Sequence, residues 1–146
     1  MTNITDTMTQ DHRRCDELFS VAEATVNQND WDKGTAQANE FISAMEHHFT
    51  MEEQILFPAF ENRTGMTGGP TQVMRAEHQQ MRQLLMQLQN AVEAQQRDEF
   101  LNAAETLLIM MQQHNAKEQG MLYPMADAHL GGEAEQILAD MEQILP

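Results

Sequence analysis

HFTMEEQILFP, residues 48–58, and HNAKEQGMLYP, residues 114–124, are one pattern written twice. Each opens on a histidine, His48 or His114, and carries a glutamate four positions on, Glu52 or Glu118. Each closes on leucine, an aromatic residue and proline: Leu56, Phe57, Pro58 in the first copy and Leu122, Tyr123, Pro124 in the second. A fixed internal spacing of this kind marks a repeated supersecondary unit.

The repeat extends outward from these segments. DHRRCDELF (11–19) matches EHQQMRQLL (77–85), so His12 and His78 stand 66 positions apart, as do His48 and His114. Leu18 and Leu84 obey the same shift, as do Met45 and Met111. Each half reads as a helical hairpin, and two hairpins in tandem build an all-α four-helix bundle with a pseudo-twofold axis. The composition agrees. Only 4 prolines and 7 glycines occur, and the β-branched residues are scattered among Ala, Leu, Met, Gln and Glu.

Four helices and a tail follow. The first runs from about Thr5 to Asn27. The second starts near Asp30 or Asp32, both good N-caps, and reaches about Glu61, with Pro58 kinking or ending it. Residues 62–69 form the glycine-rich link between halves. Pro70 suits the first turn of the third helix, which ends near Ala94. Asp98 is the expected cap of the fourth, which reaches about Asp127, and a short C-terminal helix spans about Glu133 to Ile144. With 146 residues, 41% of them hydrophobic, the chain is long enough for one domain (1–146) with a real core.

Charge narrows the partners. A net charge of -15 repels phosphate backbones and anionic lipid, so neither nucleic acid nor a membrane is expected. No apolar run approaches the roughly 20 residues of a membrane span. The opening MTNITDTM has no charged start or apolar stretch of a signal peptide, and the single cysteine, Cys15, forms no internal disulfide. A cytoplasmic location is expected.

The chemistry lies in the buried stripes. Steps of three or four residues align Met8, His12, Cys15, Phe19 and Val26 on the first helix and Phe41, Met45, His48, Glu52 and Ile55 on the second. The third gives Met74, His78, Met81, Leu85, Leu88 and Val92, and the fourth Leu107, Met111, His114, Glu118 and Met121. A lone histidine on such a stripe is more often a satisfied core residue than a ligand, and a lone His-x-x-x-Glu is weak. Four histidines and two glutamates placed by one shift are poorly explained by coincidence. Two buried carboxylates need a cationic partner, and no lysine or arginine shares the stripes. A metal provides that charge. Imidazole with carboxylate suits iron, manganese or zinc, but six ligands are too many for one tetrahedral zinc. They fit one octahedral ion, or two ions with two histidines each and shared glutamates; the twofold repeat favours the pair.

At these residues the chain resembles the hemerythrin-like, or HHE cation-binding, family, from about residue 8 to 126. The resemblance implies an up-down-up-down bundle around two iron ions joined by an oxo or hydroxo bridge, with His12, His48, Glu52, His78 and His114 at ligand positions. The oxygen-carrying members add a histidine where this chain has Arg82 and use an aspartate where it has Gln119. With Glu118 instead, the set is similar to that of the bacterial iron–sulfur repair di-iron proteins, which carry a further cysteine-bearing domain not found here.

The remaining candidates read as bystanders. His47 points about 100° away from His48, at the rim or behind a ligand. His129 lies at the surface, Cys15 in the core, and the 13 methionines fill gaps. Phe57 and Tyr123 pack near the bundle end, and Arg82 swings to solvent. Trp31 sits in a turn with no function assigned. Three functions share such a site: binding or sensing a small diatomic ligand, O2 or NO; reduction of O2, peroxide or NO at the metals; and donation of labile iron to damaged clusters. No acid–base pair separate from the six residues points to an enzyme, and small-ligand binding is the expectation.

Overall fold

The computed structural model describes residues 3–145, so Met1, Thr2 and Pro146 of the expected domain lie outside the described residues. The chain is helical throughout. Helix α1 spans Ile4–Asn27 and α2 spans Trp31–Met51; a π-helical turn, Glu52–Leu56, joins α2 to α3, Phe57–Thr64. Helix α4 spans Pro70–Glu93 and α5 Arg97–Lys117; a second π-turn, Glu118–Leu122, leads into α6, Tyr123–Leu130. A 3₁₀ turn, Gly131–Glu133, precedes α7, Ala134–Glu142. Helix α1 packs on α2 and α5, and α4 on α5 and α2, which closes the up-down-up-down ring.

Sequence chemistry sets the ends. Asn3 caps α1 by accepting from Asp6 N, and Asp30 caps α2 by accepting from Lys33 N. Asp98 is not a cap. It lies inside the first turn of α5, where its charge suits the helix dipole, and it pairs with Arg97 at 2.8 Å. Gly65, at φ 73°, ends α3 in the left-handed conformation that glycine adopts without penalty. The second and fourth helical segments run three residues past their expected ends, to Thr64 and Leu130.

The π-turns correct the stripes. Phe57 N–H bonds to the Glu52 carbonyl and Tyr123 N–H to the Glu118 carbonyl, five residues back rather than four. That extra residue rotates the following helix. Ile55 is therefore only half-buried and Met121 is 47% exposed, while Leu56 and Leu122 take the core positions. Pro58 and Pro124 follow directly, each in the first turn of the resumed helix, where a missing N–H costs little. Pro58 thus neither ends the helix nor kinks it alone.

Two apolar clusters fill the bundle. One, around Phe19, Phe41, Leu85, Leu88, Phe100 and Leu107, lies toward the hairpin corners. The other, around Ile4, Leu56, Phe57, Phe60, Leu130 and Met141, lies at the opposite end, where α7 seals it. The polar layer sits between them.

The corners repeat the halves. Asn29 and Gln95, 66 positions apart, both hold positive φ, 60° and 55°. Asparagine tolerates that region, but glutamine pays a steric cost of roughly 1 kcal/mol there. Glycine's added freedom in the unfolded chain offsets part of that relief, so Gln95→Gly is expected to raise stability by at most about 0.5 kcal/mol, or up to roughly 2 °C in Tm for a chain of this size, by thermal denaturation.

Candidate metal centre

All six expected residues reach one layer. His12, His48, Glu52, His78, His114 and Glu118 are buried, both glutamates at 0% exposure. Their atoms form two overlapping groups able to hold a cation: Glu52, His78, His114 and Glu118 in one, and His12, His48 and Glu118 in the other. Glu118 belongs to both.

Every imidazole turns Nε2 inward. His12 Nε2 lies 3.0 Å from Glu118 Oε1, and His78 Nε2 3.0 Å from Glu52 Oε1. His48 Nε2 is 3.5 Å from Glu52 Oε1, and His114 Nε2 3.2 Å from Glu118 Oε1, the latter without hydrogen-bond geometry. Three rings donate Nδ1–H outward to a carboxylate: His48 to Asp11 at 2.7 Å, His78 to Glu53 at 2.8 Å, His114 to Glu77 at 2.8 Å. That bond fixes the ring and its tautomer, so the Nε2 lone pair faces the layer, as metal binding requires.

These orienting acids were not singled out in the sequence, although Asp11 and Glu77 obey the 66-residue shift and each immediately precedes a site histidine. Each reaches across its hairpin to the other helix's histidine. Cations back them: Arg14 on Asp11 at 3.1 Å and Lys117 on Glu77 at 2.5 Å. Arg82, expected to face solvent, instead bonds Glu53 through both terminal nitrogens at 2.8 Å, contacts Glu46, and lies over the Phe49 ring.

Tyr123 also departs from expectation. Its hydroxyl sits within the layer, 2.7 Å from Glu52 Oε2 and 2.9 Å from Glu118 Oε1, and 3.2 and 3.3 Å from the Nε2 atoms of His12 and His48. Five residues of plain α-helix would turn it about 140° from Glu118; the π-turn brings it back. Phe57, its repeat counterpart, faces the His78 ring at 5.6 Å.

The other candidates stay outside. His47 bonds the Ile144 carbonyl at 2.9 Å, and exposed His129 meets the edge of Phe60. Cys15 is buried in the apolar cluster toward the corners, and burial pushes its thiol up to about 11. Trp31 begins α2 and packs half-buried on that cluster.

Electrostatics shows what the layer lacks. Burial, then the charge of Glu118, pushes the Glu52 carboxyl up to about 7. Burial also raises Glu118, but the protonated Glu52 carboxyl, the His114 charge 3.2 Å away and the His12 hydrogen bond outweigh it and hold Glu118 well below the usual range. His114 is lifted to about 8: burial opposes its charge, and the Glu118 carboxylate overrides burial. Glu118 Oε2 and His114 Nε2 remain without hydrogen-bond partners in a buried site. Inward imidazole nitrogens, an orphaned carboxylate oxygen and no lysine or arginine in the layer fit a bound cation.

A cation entering here displaces the His114 proton below about pH 8 and the Glu52 proton as well below about pH 7. Its apparent affinity is therefore expected to rise with pH from 6 to 8, by about tenfold per pH unit for each proton released. Chelator competition across that range measures it; a flat profile would contradict the assignment of these two groups.

The comparisons with known proteins agree with this geometry. Residues 3–126 match the family model described as the hemerythrin HHE cation binding domain. An uncharacterized hemerythrin-like protein of Schizosaccharomyces pombe is 31% identical over 134 residues, which cover 91% of this chain. The chain spans 64% of that relative's length. No solved structure matches the chain. A helical bundle with a buried histidine–glutamate layer, matched by that model over nearly its whole length, belongs to the hemerythrin HHE cation-binding family.

Proposed function

We propose that the chain, as one hemerythrin-like domain, holds two iron ions joined by an oxo or hydroxo bridge and binds or senses a small diatomic ligand, O2 or NO, beside them. His12, His48, Glu52, His78, His114 and Glu118 would be the ligands. The observation that carries this reading is the sharing of Glu118 between two cation-sized groups of buried ligand atoms. Two ions explain the sharing; one ion leaves half the histidines idle. Iron, when bound, supplies a redox-active centre to which a diatomic molecule can attach.

The chain's own residues support that use. The apolar clusters on both sides exclude water from the layer. The Tyr123 hydroxyl is a neutral donor within it and can hold a proton toward a small polar guest near His12 and His48. A surface groove lined by Met8, Asp11, Met51 and Met141 reaches Asp11, which bonds His48. Solvent thus comes within one side chain of the layer, a route suited to a molecule of two atoms. No helix among the described residues is long and apolar enough to cross a membrane, and the acidic composition and lone buried cysteine support a cytoplasmic setting.

Aerobically purified protein is expected to carry about two irons per chain, with near-ultraviolet bands that change reversibly as O2 is removed and restored or NO is added and flushed out. Consumption of many equivalents of O2, peroxide or NO per chain would point to catalysis instead, and rapid iron loss to an apo acceptor to donation. Absence of iron after anaerobic loading would end all three readings.

The ligand assignment has its own test. Glu52→Ala and Glu118→Ala are expected to cut bound metal at least severalfold, while His47→Ala and His129→Ala leave it unchanged, by elemental analysis. Equal losses in all four would refute the assignment.

A further inference from the structure

The two halves of the layer are not equivalent, and besides Tyr123 opposite Phe57 they differ in one repeat-matched pair that bears on how a histidine is oriented. His78 donates Nδ1–H to Glu53, which Arg82 holds in place through two bonds. The residue 66 positions after Glu53 is Gln119, adjacent to Glu118 as Glu53 is adjacent to Glu52. The histidine that the pseudo-twofold assigns to Gln119 is His12. Its Nδ1 is buried and has no hydrogen-bond partner. Of the four inward-facing imidazoles, His12 alone lacks an orienting carboxylate.

A second observation runs the same way. The group containing His78 and His114 offers four residues, including both glutamates, and both of its histidines are anchored, to Glu53 and Glu77. The group containing His12 offers three residues, His12, His48 and Glu118, and only His48 is anchored, to Asp11.

We propose that the centre is built unequal, with a tight metal position at Glu52, His78, His114 and Glu118 and a weak one at His12, His48 and Glu118, and that Gln119 sets the weakness by leaving His12 without a carboxylate. This rests on the two-metal reading above. The physical cause is general. A carboxylate accepting from Nδ1–H locks the ring and makes Nε2 a better donor to metal, and losing such a partner typically lowers metal affinity about 10–100-fold. A neutral amide is the weaker acceptor even where it reaches the ring. Gln119 acts through His12 and is a positioning residue.

The probe is iron(II), titrated anaerobically into metal-free protein against a competing chelator. The wild-type chain is expected to fill in two steps whose affinities differ by about tenfold or more. Gln119→Glu is expected to tighten the second step at least severalfold and leave the first in place. Glu53→Gln is expected to weaken the first step by about 10–100-fold, drawing the two together. The gain from Gln119→Glu should vanish in a His12→Ala background, because the new carboxylate works only through the imidazole; a gain that survives there means a directly ligating glutamate and overturns the proposal. Two equal steps in the wild type, or an unmoved second step in Gln119→Glu, would overturn it while leaving the two-metal reading intact. Uptake of no iron by the wild type would overturn both. Gln119 is only half-buried, so its variant is expected to fold, as far-ultraviolet circular dichroism would verify.

Discussion

Two carboxylates, Glu52 and Glu118, lie at zero exposure in the middle of a helical bundle, and no lysine or arginine enters their layer. Removing such ions from water costs on the order of several kcal/mol each without a compensating charge. The surrounding arrangement answers that cost: imidazoles face them from every helix of the ring, a phenol reaches both, and apolar clusters above and below keep water out. With protons alone as neutralising charge, Glu52 is held near neutral pH and His114 above it. A divalent cation removes that tension in one step, which is why the buried acids and the cation-binding role belong to the same design.

Precision comes from residues one layer out. Asp11 lies beside His12 in the chain yet anchors His48, and Glu77 lies beside His78 yet anchors His114. The adjacent histidine points inward from the helix, so its acidic neighbour is left facing the next helix. The π-turns do comparable work along the axis. They place Glu52 and Glu118 at the start of a widened turn and swing Phe57 and Tyr123 back toward the layer. Local strain at such turns is frequently found at functional sites, and here each sits at a carboxylate of the site.

The architecture and the six inward residues were legible in the sequence because both follow from spacing: the 66-residue shift pairs the halves, and steps of three and four residues align histidine and glutamate with the core. What spacing could not show was any departure from 3.6 residues per turn. Ile55 and Met121 were placed inward and Tyr123 at the bundle end because a regular helix puts them there. The anchoring acids escaped for another reason. On an acidic chain with 23 Asp and Glu, a carboxylate next to a histidine looks like part of a solvated face. Arg82 looked free to turn outward because its partners, Glu46 and Glu53, come from a different helix.

The tandem repeat also bears on ancestry. One hairpin carries two inward histidines, one inward glutamate and its own anchoring acid: His12, His48, Glu52 and Asp11 in the first, His78, His114, Glu118 and Glu77 in the second. A chain of that half-length would complete the layer only by pairing with an identical copy, in a closed isologous dimer whose halves must change together. Joining the two copies into one polypeptide releases that lock. Each half can then differ from the other, as Gln119 differs from Glu53 and Tyr123 from Phe57, a difference that a symmetric dimer of identical halves cannot carry on one side only.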